Sequence, residues 1–195
     1  MNRVEAMDVV AAARAGAAAI TGPGANAGLL YERADAPATI YNMDMGYATA
    51  IALGMALARP DRTVISIEGD GSFFAGSPVL STIWRMKPAN LVVVVLDNGV
   101  WGTGDGTEPT ATAYGTDFCR LALANGWDPG RVVRAEDPAP LRAGLAAALA
   151  GGGPHLIVAK TDPSQDLPSS NARPRPGRHL LDCAVLMRAN LAGDG

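Results

Sequence analysis

The residues of this chain best suited to chemistry are a carboxylate and an amide that follow two short apolar runs. The first run, 63–67, leads into Gly69-Asp70-Gly71, and the second, 91–96, leads into Asp97-Asn98-Gly99. Carboxylate and amide oxygens are the hard ligands that Mg²⁺ and Ca²⁺ prefer. Asp70 and Asn98 lie 28 residues apart, which is enough chain for one crossover helix between two parallel strands. The pattern therefore predicts a metal site that also binds phosphate.

The two apolar runs must position these side chains. Both runs are rich in Val, Ile and Leu and are too short for a typical helix, a pattern that predicts strands buried on both faces of a parallel sheet. In open parallel sheets, ligands bind beyond the carboxyl ends of the strands. We therefore expect Asp70 and Asn98 to lie at the same edge of the sheet.

Strand and helix patterns alternate along the whole chain. Further short strands are predicted at 17–21, 39–41, 132–134 and 155–160. This alternation predicts an α/β fold, a doubly wound and mainly parallel sheet with helices on both faces. We expect one domain at 1–161, followed at 162–195 by an extended tail and a C-terminal helix that packs on the same domain or on a partner.

Polar and glycine-rich segments separate these elements. Segment 71–76 is predicted as a loop, and 99–115 as a long polar loop of the kind that is usually functional. The turn 22–26, rich in glycine and proline, opens onto a helix, and Gly24-Ala25-Asn26 at the start of that helix is a candidate phosphate contact. Asp44 is expected to cap a helix that begins at Gly46.

Composition and charge exclude several classes of function. The formal net charge is −3, from 16 Lys and Arg against 19 Asp and Glu, so nucleic acid is not an expected partner. No apolar stretch reaches transmembrane length and no signal peptide is recognisable, so we expect no membrane association and a cytoplasmic location. Cys119 and Cys183 are far apart in the sequence, which favours reduced, structural thiols.

The chain resembles the thiamine diphosphate (ThDP) enzymes. Their signature is Gly-Asp-Gly followed downstream by a pair usually written Asn-Asn, and it is matched here by 69–73 and 96–99. Segment 43–56 is also similar to the stretch that precedes this signature in the family. The resemblance covers roughly half of the chain, 22–112, and lies in the diphosphate-binding domain. Chain length and the second motif are most similar to the β subunits of sulfopyruvate decarboxylase and phosphonopyruvate decarboxylase.

The resemblance implies roles for residues at the matching positions. Asp70 and Asn98 bind Mg²⁺ through their side chains and Val100 through its backbone carbonyl, so that the ion bridges protein and diphosphate. Met45 is the large apolar residue that bends the cofactor, which is its catalytic contribution, and the Met43 carbonyl accepts a hydrogen bond from the cofactor's amino group. The other expected cofactor-binding residues are Asn26, Gly69, Gly71, Ser72, Trp101, Gly102 and Thr103. The alternative for the two methionines is an ordinary place in the core.

Charge and motif departures refine this interpretation. No Lys or Arg occurs close to either motif, so we expect the metal, backbone N–H groups and helix N-termini to neutralise the diphosphate. Val79 stands where many relatives have Glu or Gln, and nothing in the sequence explains it. Asp97 replaces the first Asn of the pair, as it also does in the β-subunit group.

The activity implied by the resemblance is the non-oxidative decarboxylation of a small 2-oxo acid to an aldehyde, with ThDP and Mg²⁺. In this family a Glu from the pyrimidine-binding domain activates the cofactor, and this sequence has no room for such a domain. We therefore expect a pyrimidine-binding (α) subunit on a separate chain, in a hetero-oligomer with an even number of each chain. The alternatives are a carboligase that resembles acetolactate synthase, an oxidoreductase subunit, and a non-catalytic structural or regulatory subunit.

Overall fold

A six-stranded parallel sheet organises the fold. The computed structural model describes residues 1–102, 108–165 and 174–192. Within them the strands are β1 (Ala18–Thr21), β2 (Thr39–Ile40), β3 (Val64–Gly69), β4 (Leu91–Asp97), β5 (Val132–Ala135) and β6 (His155–Lys160). Their order in the sheet is β2-β1-β3-β4-β6-β5, and every neighbouring pair is parallel.

Helices cover both faces of the sheet. In the described residues they are α1 (Arg3–Ala13), α2 (Ala25–Ala34), α3 (Ala48–Ala58), α4 (Asp70–Gly76), α5 (Val79–Met86), α6 (Phe118–Ala124), α7 (Pro138–Leu149) and α8 (Leu180–Ala192). The first face carries α1, α2 and α7, and the second carries α3 to α6. Val92 and Val94 of β4 face the first layer, whereas Val93 and Val95 face the second. The predicted doubly wound fold is therefore confirmed.

The clearest difference from the sequence-based prediction lies directly after β3. The segment predicted as a loop, 71–76, is instead most of α4, which begins at Asp70. Phe73 is fully buried there and packs edge-to-face on Phe118, with ring centroids 4.9 Å apart. This burial offsets the low helix propensity of the glycines in α4.

The start of α3 also differs from the prediction. The helix begins at Ala48 rather than at Gly46, and Asp44 is not its cap. Tyr47 occupies the N-cap position, but its side chain forms no capping hydrogen bond. The N–H of Thr49 donates instead to the carboxylate of Glu68 on β3, at 2.9 Å.

The C-terminal part of the described chain returns to the β2 edge of the sheet. Met187 of α8 packs in a small apolar cluster with Ala18 and Ala38. Just before α8, Arg178 forms an ion pair with Asp35. Among the described helices, none has both the length and the apolar character that a membrane crossing requires.

Candidate functional site

A cleft opens at the carboxyl edge of the sheet, between β1 and β3, where the order of the strands in the sheet reverses. Because β1 lies between β2 and β3, the connections that leave β1 and β3 diverge to opposite faces. The α2 helix follows β1 on the first face, and α4 follows β3 on the second. Open α/β sheets bind ligands in such a crevice. The cleft measures about 560 Å³, including space that is open to solvent.

Most of the predicted site residues line this cleft. They are Asn26, Met45, Gly69, Asp70, Gly71, Ser72, Asn98, Val100, Trp101 and Gly102. The Met43 side chain does not line the cleft, because it is partly buried and packs against the core of the second face. Thr103 lies outside the described residues. Gly24 and Ala25, the neighbours of Asn26 in the predicted phosphate-contact segment, also line the cleft, whereas sequence reasoning missed Arg3 and Pro23.

Asp70, the central predicted metal ligand, is buried at the start of α4. Only 2% of the residue is exposed, and its Oδ2 accepts hydrogen bonds from the hydroxyls of Thr110 and Thr112, the second at 2.8 Å. Burial raises the pKa of Asp70 above its usual value, the two threonine hydrogen bonds oppose the rise, and the negative charge of Asp97 adds to it. A cation beside Asp70 would therefore relieve an unfavourable buried charge.

A second buried carboxylate, Asp97, is linked to Asp70 through Thr112. The Thr112 hydroxyl lies 2.8 Å from Asp97 Oδ1, and Lys160 Nζ forms an ion pair with Asp97 Oδ2 at 2.7 Å. Asp97 and Lys160 are direct partners in the register of β4 with β6. Since one hydroxyl has a single proton, Thr112 satisfies only one of the two carboxylates at a time.

The loop after β4 positions the second predicted metal ligand. Asn98 is 6% exposed, and its Oδ1 accepts a hydrogen bond from the N–H of Val100 at 3.2 Å. The chain then folds back, so that the N–H of Thr110 donates to the Gly99 carbonyl at 2.9 Å. This return brings the threonine hydroxyls to Asp70, a contact that sequence reasoning missed.

The N-terminus of α2 forms a polar wall of the cleft. Gly24 adopts φ 91° at the N-cap and no side chain caps the helix. Asn26 is 3% exposed, and its Oδ1 has no hydrogen-bond partner. A buried amide oxygen without a partner is costly, and N–H groups at a helix N-terminus favour anions. Both features fit a site where a bound polar ligand supplies the hydrogen bonds that the protein itself lacks.

Arg3 is the one Lys or Arg among the described residues that line the cleft. It is the first residue of α1 and is 9% exposed. The sequence predicts that the metal, backbone N–H groups and helix N-termini provide most of the neutralisation, because no Lys or Arg occurs near either motif. To that set α1 adds one basic residue from a distant part of the chain.

Two larger apolar side chains border the cleft. Met45 is 49% exposed on the loop before α3, so it is not an ordinary core residue. The Trp101 ring lies directly over Gly71, where a Cβ atom would stand 2.5–2.8 Å from the ring carbons. Position 71 therefore requires glycine while the indole lies there.

The donor atoms of the cleft fit a metal-bound diphosphate. Within the described part of the chain, no three His, Cys, Asp or Glu side chains come together as a metal cage. Asp70, Asn98 and Val100 line the cleft and offer a carboxylate, an amide oxygen and a backbone carbonyl. So few protein oxygens would suit Mg²⁺, because this ion usually keeps water and phosphate oxygens as ligands. Arg3 and the N-terminus of α2, which line the same cleft, carry charge of the sign that favours phosphate.

Several known proteins are similar to this chain. Residues 27–159 match a family model described as thiamine pyrophosphate enzyme, C-terminal TPP binding domain. The sulfopyruvate decarboxylase subunit beta of Methanococcus maripaludis is 31% identical over 142 residues, which cover 72% of this chain and 74% of the relative. The phosphonopyruvate decarboxylase of Streptomyces viridochromogenes is 37% identical over 113 residues, 58% of this chain and 27% of the relative.

A solved structure supports the fold independently. The benzoylformate decarboxylase of Polynucleobacter necessarius is similar with a TM-score of 0.72 at 19% sequence identity, over 87% of this chain and 34% of that one. The family model spans well over half of the sequence. The chain therefore belongs to the thiamine pyrophosphate enzymes and contains their C-terminal cofactor-binding domain.

Proposed function

We propose that this chain is the Mg²⁺- and diphosphate-binding subunit of a two-chain, ThDP-dependent enzyme that decarboxylates a 2-oxo acid to an aldehyde. The observation that carries the proposal is one cleft that joins buried Asp70 and Asn98 with the unpartnered Oδ1 of Asn26. The names of the relatives, sulfopyruvate and phosphonopyruvate decarboxylase, favour a 2-oxo acid that carries a second anionic group.

The proposed metal ligands are Asp70 and Asn98 through their side chains and Val100 through its carbonyl. The bound ion would neutralise the buried Asp70 carboxylate and one end of the diphosphate. In the same cleft, Arg3 and the first turn of α2 would complement the remaining negative charge. Further contacts to the cofactor are proposed for Gly69, Gly71, Ser72, Trp101, Gly102 and Thr103.

The loop before α3 would hold the rest of the cofactor. Met45, which is half-exposed at the cleft, would support its bent conformation, and the Met43 carbonyl would accept a hydrogen bond from its amino group. When bound, ThDP supplies the electron sink that allows a 2-oxo acid to lose CO₂. The protein binds and orients the reacting groups and limits their contact with water.

The partner in this proposal is a pyrimidine-binding subunit that supplies the activating Glu. Large apolar side chains are exposed on the segments beside the cleft, which supports the proposal that a partner subunit covers this surface. Met45, Tyr47 and Phe74 are 49%, 60% and 47% exposed. Exposed apolar patches of this kind mark surfaces that another protein covers. Cofactor and substrate would then bind where the two chains meet.

The test is co-expression of this chain with the product of a neighbouring gene. The purified complex is titrated calorimetrically with ThDP in the presence of Mg²⁺, and CO₂ release is measured with pyruvate, sulfopyruvate and phosphonopyruvate. We expect ThDP binding, CO₂ and an aldehyde from the complex, and little turnover from the isolated chain.

Three results would contradict parts of the proposal. A complex that does not bind ThDP would favour a structural or regulatory subunit. Carbon–carbon coupling products in place of the aldehyde would favour a carboligase. Rapid turnover by the isolated chain with ThDP and Mg²⁺ would refute the need for a partner.

A further inference from the structure

We propose that Glu68 is a positioning residue that fixes Met45 relative to the diphosphate-binding end of α4. This inference rests on the proposed function, because it concerns how the two ends of one cofactor are accommodated together. It assigns a role to a buried carboxylate that neither binds the metal nor lines the cleft.

Glu68 lies near the end of β3 and is fully buried. Its Oε1 accepts two hydrogen bonds from Thr49, at 2.9 Å from the N–H and 2.7 Å from the hydroxyl. Its Oε2 accepts a hydrogen bond from the hydroxyl of Ser72. A buried carboxylate is stable only when such bonds replace its lost hydration. The side chain is therefore held from two directions.

The two bonds from Thr49 make Glu68 the cap of α3. This helix has no capping bond from its own N-cap residue, Tyr47, and Thr49 lies in its first turn. A carboxylate at that position accepts a free N–H and faces the positive end of the helix dipole. Glu68 thus fixes where α3 begins, and with it the end of the loop that carries Met45.

The bond from Ser72 ties the same carboxylate to α4. Ser72 Oγ accepts in turn a hydrogen bond from the N–H of Gly46 at 3.3 Å. Close by, the backbones of Gly46 and Gly76 touch, since a Cβ at Gly76 would stand 2.2 Å from the Gly46 carbonyl oxygen. The loop that carries Met45 is therefore attached to the helix that begins with Asp70.

This geometry also defines how Ser72 can contact a diphosphate. Its single hydroxyl proton is donated to Glu68, so its backbone N–H is the group left to donate to phosphate. Glu68 itself has both oxygens engaged and is absent from the cleft wall. Its influence on a ligand is consequently indirect, through the positions of its neighbours.

The role of Glu68 can be tested because pyrophosphate and ThDP make different demands on the site. Inorganic pyrophosphate with Mg²⁺ needs only the diphosphate-binding end of α4. ThDP also needs Met45 at the correct distance from that end. Loss of Glu68 should therefore weaken ThDP selectively. A general loss of structure would instead weaken both ligands.

The experiment uses the complex of this chain with its partner and compares Glu68→Ala with Glu68→Gln. The Gln carbonyl oxygen can accept both bonds from Thr49, and its NH₂ group can donate to Ser72, so all three contacts persist. We expect Glu68→Ala to weaken ThDP about tenfold or more, which corresponds to the loss of bonds to a charged group, and to change Mg²⁺-pyrophosphate affinity less than about twofold. Glu68→Gln should retain nearly wild-type affinity for both ligands.

Parallel weakening of both ligands in Glu68→Ala, or unchanged affinity for ThDP, would overturn the inference. If Glu68→Ala does not fold, Gly22→Ala tests the same contact, because its Cβ would stand 3.0 Å from Ser72 Oγ and 3.3 Å from Glu68 Cγ. It should show the same selective loss of ThDP, and equal losses would again overturn the inference. A wild-type complex that binds neither ligand contradicts the proposed function itself.

Discussion

Replacing Lys160 by Met should lower the free energy of unfolding, because the Lys160 ammonium group compensates the charge of a buried carboxylate, Asp97. Asp97 and Lys160 form an ion pair at 2.7 Å, with side-chain exposures of 4% and 30%. Without Lys160, Asp97 retains the Thr112 hydroxyl, which also lies 2.8 Å from Asp70 Oδ2. The variant would therefore bury two carboxylates without a cation, with the Thr112 hydroxyl shared between them and the Thr110 hydroxyl donating to Asp70.

The expected loss of stability follows from this geometry. Removing one partner of a buried ion pair costs about 3–5 kcal/mol, because the remaining charge is left without compensation. Water can reach the partly exposed Lys160 side, so we expect a decrease in the free energy of unfolding of about 2–3 kcal/mol, below that range. For a chain of this length, such a decrease lowers the unfolding midpoint by about 4–12 °C.

A double-mutant cycle separates the charge effect from packing. Asp97→Asn neutralises the carboxylate, so it should restore most of the stability lost in Lys160→Met, with a coupling energy of about 2 kcal/mol. Urea unfolding and calorimetry of the single and double variants measure this energy, and Lys87→Met, at an exposed lysine, is the control. A coupling energy below about 0.5 kcal/mol would refute the reasoning.

Three further predictions concern single residues. Asp70→Asn should weaken ThDP binding in the presence of Mg²⁺ more than about 100-fold, because it removes a proposed metal ligand rather than one of its supporting contacts. Its unfolding midpoint without ligand should equal or exceed that of the wild type, because burial already disfavours the charged form. Arg3→Met should weaken binding of Mg²⁺-pyrophosphate about tenfold by calorimetry while keeping the apolar stem, and unchanged affinity would contradict its role. His155 is buried and accepts a hydrogen bond from Arg131 at 3.1 Å; burial and then the positive charge of Arg131 lower its pKa. Because the unfolded chain then binds more protons than the folded one, the free energy of unfolding should fall as the pH drops below about 6.5. His155→Gln should reduce this pH dependence, whereas the control His179→Gln, at an exposed position, should not.

The sheet and the place of its two principal polar residues could be predicted from local sequence. The runs at β3 and β4 are too short and too rich in branched residues for helices, and strand ends determine where Asp70 and Asn98 lie. The helix α4 could not be predicted in this way. Its glycines disfavour a helix locally, and it forms because Phe73 is buried and the backbone of Gly76 must approach Gly46 closely.

The missed site residues depend on contacts between distant parts of the chain. Arg3 reaches the cleft because α1 packs beside α2 and α7 on the first face. Lys160 meets Asp97 only through the β4–β6 register, and β6 follows β5 in the sequence. Thr112 reaches Asp70 because the N–H of Thr110 pairs with the carbonyl of Gly99. No local pattern encodes such pairings.

The position of Trp101 gives the protein an internal optical probe. Of its three tryptophans, Trp84 and Trp127 stack on each other with ring centroids 5.4 Å apart and do not line the cleft. The Trp101 indole lies in the cleft against Gly71. A ligand that enters the cleft therefore changes the surroundings of one fluorophore and leaves the other two as an internal reference. Tryptophan emission should then report cofactor binding without a label, and Trp101→Phe provides the blank.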